Sequence, residues 1–268
     1  AFHEYLAYQG LGARIEQRLQ DLNVSDAASL AAAGTQIRGW VLASPFPPGF
    51  NQALDGAIQR LTAARPDMPL AVRSSAMVDE LPEASLAQVA CLNMQGPENV
   101  KQAVREVFAS VFSDRAISYR SYHRIDQRHL ALSAGVQQMV RSEAASSGVM
   151  FTLDTESGFR DVVVINASYG LGETVVQGAV NPDEFYVHKP TFVAGRPAIL
   201  RRNLGTKTIK MIHADSGAVG RSVRTVSVDL DERARFSITD SEVLELTRQA
   251  LVIEEHYQTP MDIEWAKD

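Results

Sequence analysis

The sequence predicts an α+β fold. Apolar residues recur at helical spacing from residue 1 to about 65, the stretch from 130 to 193 breaks into short β-rich runs, and strands and helices do not alternate as βαβ units would. With 268 residues, 45% of them hydrophobic, the chain can bury a substantial core. The change of character near residue 130 predicts two lobes. Residues 1–130 form a helix-rich lobe with one buried strand and the Arg-Ser-Ser loop, and residues 131–268 form a β-rich lobe closed by a helix and an Asp-Ile-Glu strand.

The first helices run through Leu11, Ile15 and Leu19, and through Ile37, Trp40 and Val41, until Pro45, Pro47 and Pro48 break the pattern. Another helix spans about Phe50 to Leu61. Leu70-Ala71-Val72, bounded by Pro69 and by Arg73-Ser74-Ser75, reads as a buried strand feeding a loop that continues to about Pro82. Pro97 suits the first turn of a helix whose Val100, Val104, Val107 and Val111 share one face. Short runs from Ala131 to Val140, Gly148 to Leu153, Val162 to Ala167 and Glu184 to Val187 predict a sheet. Residues 214–224 read as a Gly/Ser-containing linker. Thr239-Asp-Ser-Glu242 is a capping box opening a helix through Val243, Leu246, Ala250, Ile253 and Tyr257, which Pro260 ends before a strand from Met261 to Trp265.

Composition narrows the function. The formal charge of −6 and pI near 5.6 argue against a nucleic-acid partner, whose phosphates call for clustered Lys and Arg. No run of about 18 apolar residues and no signal-like opening occurs, which excludes a helical membrane span and favours the cytoplasm. The single Cys91 reads as a small buried apolar group, and the six histidines show no metal-ligand spacing. The chain opens in helix-like sequence and stops in a strand, so both ends read as truncated.

Four groups could carry chemistry. Arg73 at a strand end, followed by hydroxyls and backbone amides, can clamp phosphate oxygens; it also fits a plain surface ion pair. Asp262 and Glu264 alternate on a strand, placing two carboxylates about 7 Å apart on one face, an arrangement that suits Mg²⁺ shared with substrate phosphates or simply a solvated edge. The glycines of Gly170-Leu171-Gly172-Glu173 allow a tight turn or close ligand approach, with Glu173 a further metal or ribose ligand; no Gly-Lys-Ser/Thr follows, so it is not a P-loop. The strand Gln137-Gln138-Met139-Val140 can offer backbone groups to an adenine edge or serve only as core.

Taken together, Ala71-Val-Arg-Ser-Ser-Ala76, Phe112-Ser-Asp-Arg-Ala-Ile-Ser-Tyr-Arg120, Gln137-Gln-Met-Val-Arg141, Ala145-Ser-Ser-Gly-Val-Met-Phe151, Asp154-Thr-Glu-Ser-Gly158, Gly170-Leu-Gly-Glu173, the run Val176 to Lys189 and Met261-Asp-Ile-Glu-Trp265 resemble the phosphoenolpyruvate synthase family. The run containing Asn181-Pro-Asp-Glu-Phe-Tyr is closer to that family than to pyruvate phosphate dikinase or rifampicin phosphotransferase, which share the domain. The resemblance implies an ATP-grasp-like domain of two lobes, truncated at both ends, that closes over a small-molecule nucleotide, ATP, with Mg²⁺. It implies Arg73 at the phosphates as the catalytic residue, Gln137 with the Met139-Val140 backbone at the adenine, and Glu264 and Asp262 at ribose or metal, with Glu173 as a further ligand. The implied partners are the phosphohistidine and pyruvate-binding domains of the same enzyme, and a homodimer is compatible with it.

Three departures bear on activity. The family's Gly-Gly-Lys segment would precede residue 1, and its Gln-x-Arg-Pro segment would follow Asp268. The loop Ala76-Met-Val-Asp-Glu-Leu-Pro82, continued by Leu86-Ala-Gln-Val-Ala-Cys91, lacks the glycine of the family's phosphate lid and is about two residues shorter. No phosphoryl-carrying Thr-x-His turn occurs in the chain either. The sequence therefore predicts a nucleotide-binding fragment inactive alone, with a folded module of impaired nucleotide binding as the alternative.

Overall fold

The computed structural model describes residues 1–20, 22–76, 90–125, 130, 132–213 and 223–268. Most of the expected lid, 77–89, and the linker residues 214–222 lie outside the described residues. The chain divides into two compact units, with the break between Met139 and Val140.

In the first unit, helices α1 (Phe2–Ala7), α2 (Leu11–Gln20), α3 (Ala27–Ala43) and α4 (Pro48–Leu61) follow the apolar periodicity. The Asp26 side chain caps α3 by accepting the Ala28 N–H, and Pro48 opens α4, where a missing N–H costs nothing. Strands β1 (Leu70–Ala76) and β2 (Ala90–Met94) lead to α5 (Pro97–Ser110), capped α6 (Asp114–Tyr122) and β3 (Leu132–Gln138). The three strands form an antiparallel sheet in the order β2-β1-β3. Leu70, Val72, Cys91, Met94 and Leu132 point to the helices and join Val100, Val104, Val107 and Phe108 of α5 in one core. Phe108 is its aromatic centre, with ring centroids 5.2 Å from Phe2, 5.6 Å from Tyr5 and 6.4 Å from Phe46.

Two sequence expectations change here. Arg73-Ser74-Ser75 is strand, not loop, because each residue has a partner in β3: Gly135, Ala134 and Ser133. Cross-strand pairing supplies what the polar local sequence does not advertise. The division also falls after Met139 rather than near 130. β3 pairs with β1 from Leu70↔Gln138 to Ala76↔Leu132, so the first β-rich run belongs with the helices.

The second unit contains β4 (Ser146–Phe151), β5 (Val162–Tyr169), the single turn α7 (Glu173–Val176), β6 (Asp183–His188), α8 (Lys189–Val193), β7 (Ile199–Asn203), β8 (Ile209–His213), β9 (Val223–Ser227), α9 (Leu230–Arg233), α10 (Asp240–Tyr257) and β10 (Asp262–Lys267). Its antiparallel five-stranded sheet has the order β10-β4-β5-β6-β7, and β8 pairs with β9 in a separate ribbon. Met150, Val163, Ile165, Phe185, Val187 and Trp265 line the covered face, against Val243 and Ala250 of α10. The capping box forms as the sequence predicts: the Thr239 N–H donates to Glu242 Oε2 at 2.7 Å and the Glu242 N–H to Thr239 Oγ1 at 3.4 Å. Gln258 ends α10 in the left-handed region at φ 56°, before Pro260. Among the described residues no helix is long and apolar enough to cross a membrane.

Candidate functional site

Arg73 and Gln137 share the exposed face of the first sheet, and Asp262 and Glu264 share one face of the second. In the first sheet, alternation that sends Leu70 and Val72 inward turns Arg73 and Ser75 outward, together with Ala90, Ser133, Gly135 and Gln137. Arg73 stands opposite Gly135 in β3 and Ala90 in β2, so neither cross-strand neighbour has a large side chain to crowd the guanidinium. Gln137 is two residues along β3 from that glycine, a diagonal neighbour about 7–8 Å from Arg73 by strand geometry. Arg73 makes no ion pair among the described residues and is exposed, which leaves all its donors available to a ligand. Met139 follows on the buried side; its N–H donates to the Pro69 carbonyl at 3.0 Å and its sulfur accepts the Asn93 N–H at 3.1 Å. Val140, next to it, is exposed.

In the second sheet β10 is, among the described residues, an edge strand paired with β4 alone. Ile263 and Trp265 turn toward the core, so Asp262 and Glu264 project together from the other face, as the sequence predicts. The register places Glu264 in a row with Val149, Asn166, Glu184 and Asn203, and Asp262 in a row with Phe151, Val164 and Tyr186. Glu184 accepts from Asn203 at 2.8 Å and from Arg201 at 3.1 Å. Burial, helped by the Glu184 charge, raises the Tyr186 phenol above its ordinary value. Asp262 and Glu264 form no ion pair among the described residues.

The Gly170-Leu171-Gly172-Glu173 turn leans on the same face. Ser147, which pairs with Ala266 two residues beyond Glu264, donates its hydroxyl to the Gly170 carbonyl at 2.6 Å. Gly170 adopts φ +85°, and a Cβ there would come within 2.5 Å of the Met211 carbonyl, so both conformation and space require glycine. The Leu171 N–H donates to that same Met211 oxygen at 2.9 Å. Glu173 then opens α7 with its side chain exposed.

Other motif residues prove structural. Ser113 accepts the Ala116 N–H, Asp114 pairs with Arg38 at 3.1 Å, and Arg120 is buried. Desolvation lowers the Arg120 pKa to about 10. Asp154 and Ser157 shape a turn with Gly158 at φ +74°. Two contributors escaped the sequence reading. Asn166 stands on the carboxylate face only through strand register, and Asp183, inside the Asn181-Pro-Asp-Glu run, forms a buried ion pair with Lys207.

Among the described residues no three His, Cys, Asp or Glu side chains converge into a protein-only metal cage. Asp262 and Glu264 instead present two oxygen donors at an open edge, the donor type and number that suit a hard cation completing its shell with phosphates and water.

Along its whole length, residues 1–268, the chain matches the family described as pyruvate phosphate dikinase, AMP/ATP-binding domain, and it belongs to that family. Phosphoenolpyruvate synthase of Pseudomonas aeruginosa (strain UCBPP-PA14) is 57% identical over 100% of this chain and 34% of its own length. The proteins of the same name from Escherichia coli (strain K12) and Aquifex aeolicus (strain VF5) are 52% and 44% identical, again over 100% of this chain. The chain thus spans about a third of the length of these relatives.

Proposed function

We propose that the chain is the MgATP-binding domain of a phosphoenolpyruvate synthase, acting in the cytoplasm in an ATP-grasp-like manner. The observation that carries this reading is the placement of Arg73 and Gln137 as diagonal neighbours on one exposed sheet face, in a chain whose whole length belongs to a nucleotide-binding family. Arg73 clamps phosphate oxygens through charge-assisted hydrogen bonds and offsets their negative charge. Gln137 meets the adenine edge. Because the Met139 N–H is already engaged by Pro69, the backbone contribution to the adenine falls to the Met139 carbonyl and the Val140 N–H.

Asp262 and Glu264 would hold Mg²⁺, or Glu264 the ribose, with Glu173 as a further ligand. When bound, the cation screens the phosphate charge and orients the phosphoryl groups. In the whole protein, ATP phosphorylates a histidine on a separate domain, and a third domain passes that phosphoryl group to pyruvate to give phosphoenolpyruvate, with one water consumed and AMP and phosphate released. The sequence similarity to phosphoenolpyruvate synthases supports this reading, and the Asn181-Pro-Asp-Glu-Phe-Tyr run favours it over a drug-phosphorylating relative.

Calorimetric titration with MgATP and a nonhydrolysable analogue tests the site. Arg73→Ala and Glu264→Ala each remove a charge-assisted contact of about 1.5–3 kcal/mol, which weakens binding about tenfold to a hundredfold. Unchanged binding in both variants would remove these residues from nucleotide binding.

A further inference from the structure

Asp183, the first residue of β6, and Lys207, between β7 and β8, have fully buried side chains, with Lys207 Nζ 2.5 Å from Asp183 Oδ1. The same oxygen accepts the Gly205 N–H at 2.9 Å, while Oδ2 accepts the Ser237 N–H at 2.6 Å and the Ser237 hydroxyl at 2.8 Å. The ammonium also donates to the carbonyls of Gly205 at 2.9 Å and Arg233 at 3.4 Å. One carboxylate thereby ties β6 to the segment entering β8 and to the segment entering α10.

The local backbone is shaped around this pair. Lys207 takes φ +40°, unusual for a side-chain-bearing residue, and a Cβ on Gly205 would lie 2.2 Å from the Pro182 carbonyl. A buried ion pair is weak evidence of stabilisation, since a well-packed apolar pair can hold a fold equally well. What charges and directional hydrogen bonds add is a fixed position.

That position leads to the glycine turn. Lys207 is bonded through its N–H to the Asn181 carbonyl, and β8 begins two residues later. Within β8 the Met211 carbonyl accepts the Leu171 N–H and blocks any side chain at Gly170. We propose that Asp183 and Lys207 are positioning residues: by fixing where β8 begins, they set the Met211 carbonyl and hold the Gly170–Glu173 turn in its nucleotide-binding conformation. The last clause rests on the reading of that turn as a nucleotide contact.

The test uses the whole protein carrying Asp183→Asn with Lys207→Met, a neutral pair that leaves no lone buried charge, and separately Ser237→Ala, which removes one donor to the carboxylate. Hydrogen exchange is followed by mass spectrometry on the peptide containing Leu171 and on one from the middle of α10, alongside MgATP affinity. The double variant should keep the α10 exchange rate, exchange about tenfold faster at Leu171, and bind MgATP about tenfold more weakly. Ser237→Ala should shift both in the same direction by a smaller factor, and it decides the matter if the double variant does not fold. Unchanged exchange at Leu171 in a folded variant overturns the proposal. Faster exchange at Leu171 with unchanged MgATP affinity upholds the positioning and overturns the nucleotide role of the turn.

Discussion

Replacing Gly148 by alanine should damage the carboxylate-bearing sheet from within. A Cβ built on Gly148 lies 1.8 Å from the Asn166 carbonyl oxygen, 2.8 Å from its carbon and 3.0 Å from Trp265 Cζ2. Ordinary contact begins at 3.4 Å, so relief requires a displacement of 3.4 − 1.8 = 1.6 Å. Two of the three obstructing atoms are backbone of the neighbouring strand, which cannot swing aside as a flexible side chain would. Overpacking typically costs ~1–3 kcal/mol, and a backbone obstacle puts this site at the upper end, ~3 kcal/mol or more. At about 2–4 °C per kcal/mol for a domain of this size, the melting temperature should fall by about 6–12 °C. Because β10 pairs with β4, with Glu264 opposite Val149, movement of β4 also carries Glu264, and MgATP affinity should fall with stability. Differential scanning calorimetry and nucleotide titration of Gly148→Ala read both effects. A melting temperature within ~1 °C of wild type would refute the close approach of β4 and β5.

Two further outcomes follow from the packing and the charges. Phe108→Ala empties the aromatic centre of the first unit, at a cost of about 3–5 kcal/mol in chemical denaturation; a loss below ~1 kcal/mol would mean the site collapses without strain. Burial alone would raise the Glu242 carboxyl, but hydrogen bonds from Lys267 and from Thr239 outweigh it and hold the group below its ordinary value. A depressed carboxylate stabilises above its unfolded pKa and loses that contribution as pH falls through its folded value. Wild type should therefore lose its stability advantage over Glu242→Gln on acidification from about pH 5 to pH 3, and melting curves that stay parallel over that range would contradict the Lys267 contact.

What the sequence revealed depends on how local the determinant is. The helix after Thr239 was legible because its capping box sits within four residues, and α5 because Pro97 and three buried valines repeat along one face. Asp262 and Glu264 share a face by the two-residue period alone. Arg73-Ser74-Ser75 reads as loop in the sequence because its strand character comes from partners about sixty residues away in β3. The ribbon of β8 and β9 gave no signal for the same reason: its short runs alternate weakly and are stabilised by pairing. Asp183 and Lys207 show only in three dimensions, since 24 residues separate the two charges that share one burial site.

The central proposal is that Asp262 and Glu264 hold the cation of a bound nucleotide. Paramagnetic relaxation in the presence of Mn²⁺-ATP, with Mn²⁺ standing in for Mg²⁺, tests this directly on backbone amides of the whole chain. Strong broadening is expected at residues 262–264, reversed by excess MgATP and reduced in Glu264→Ala. No broadening at 262–264 at saturating nucleotide would contradict it.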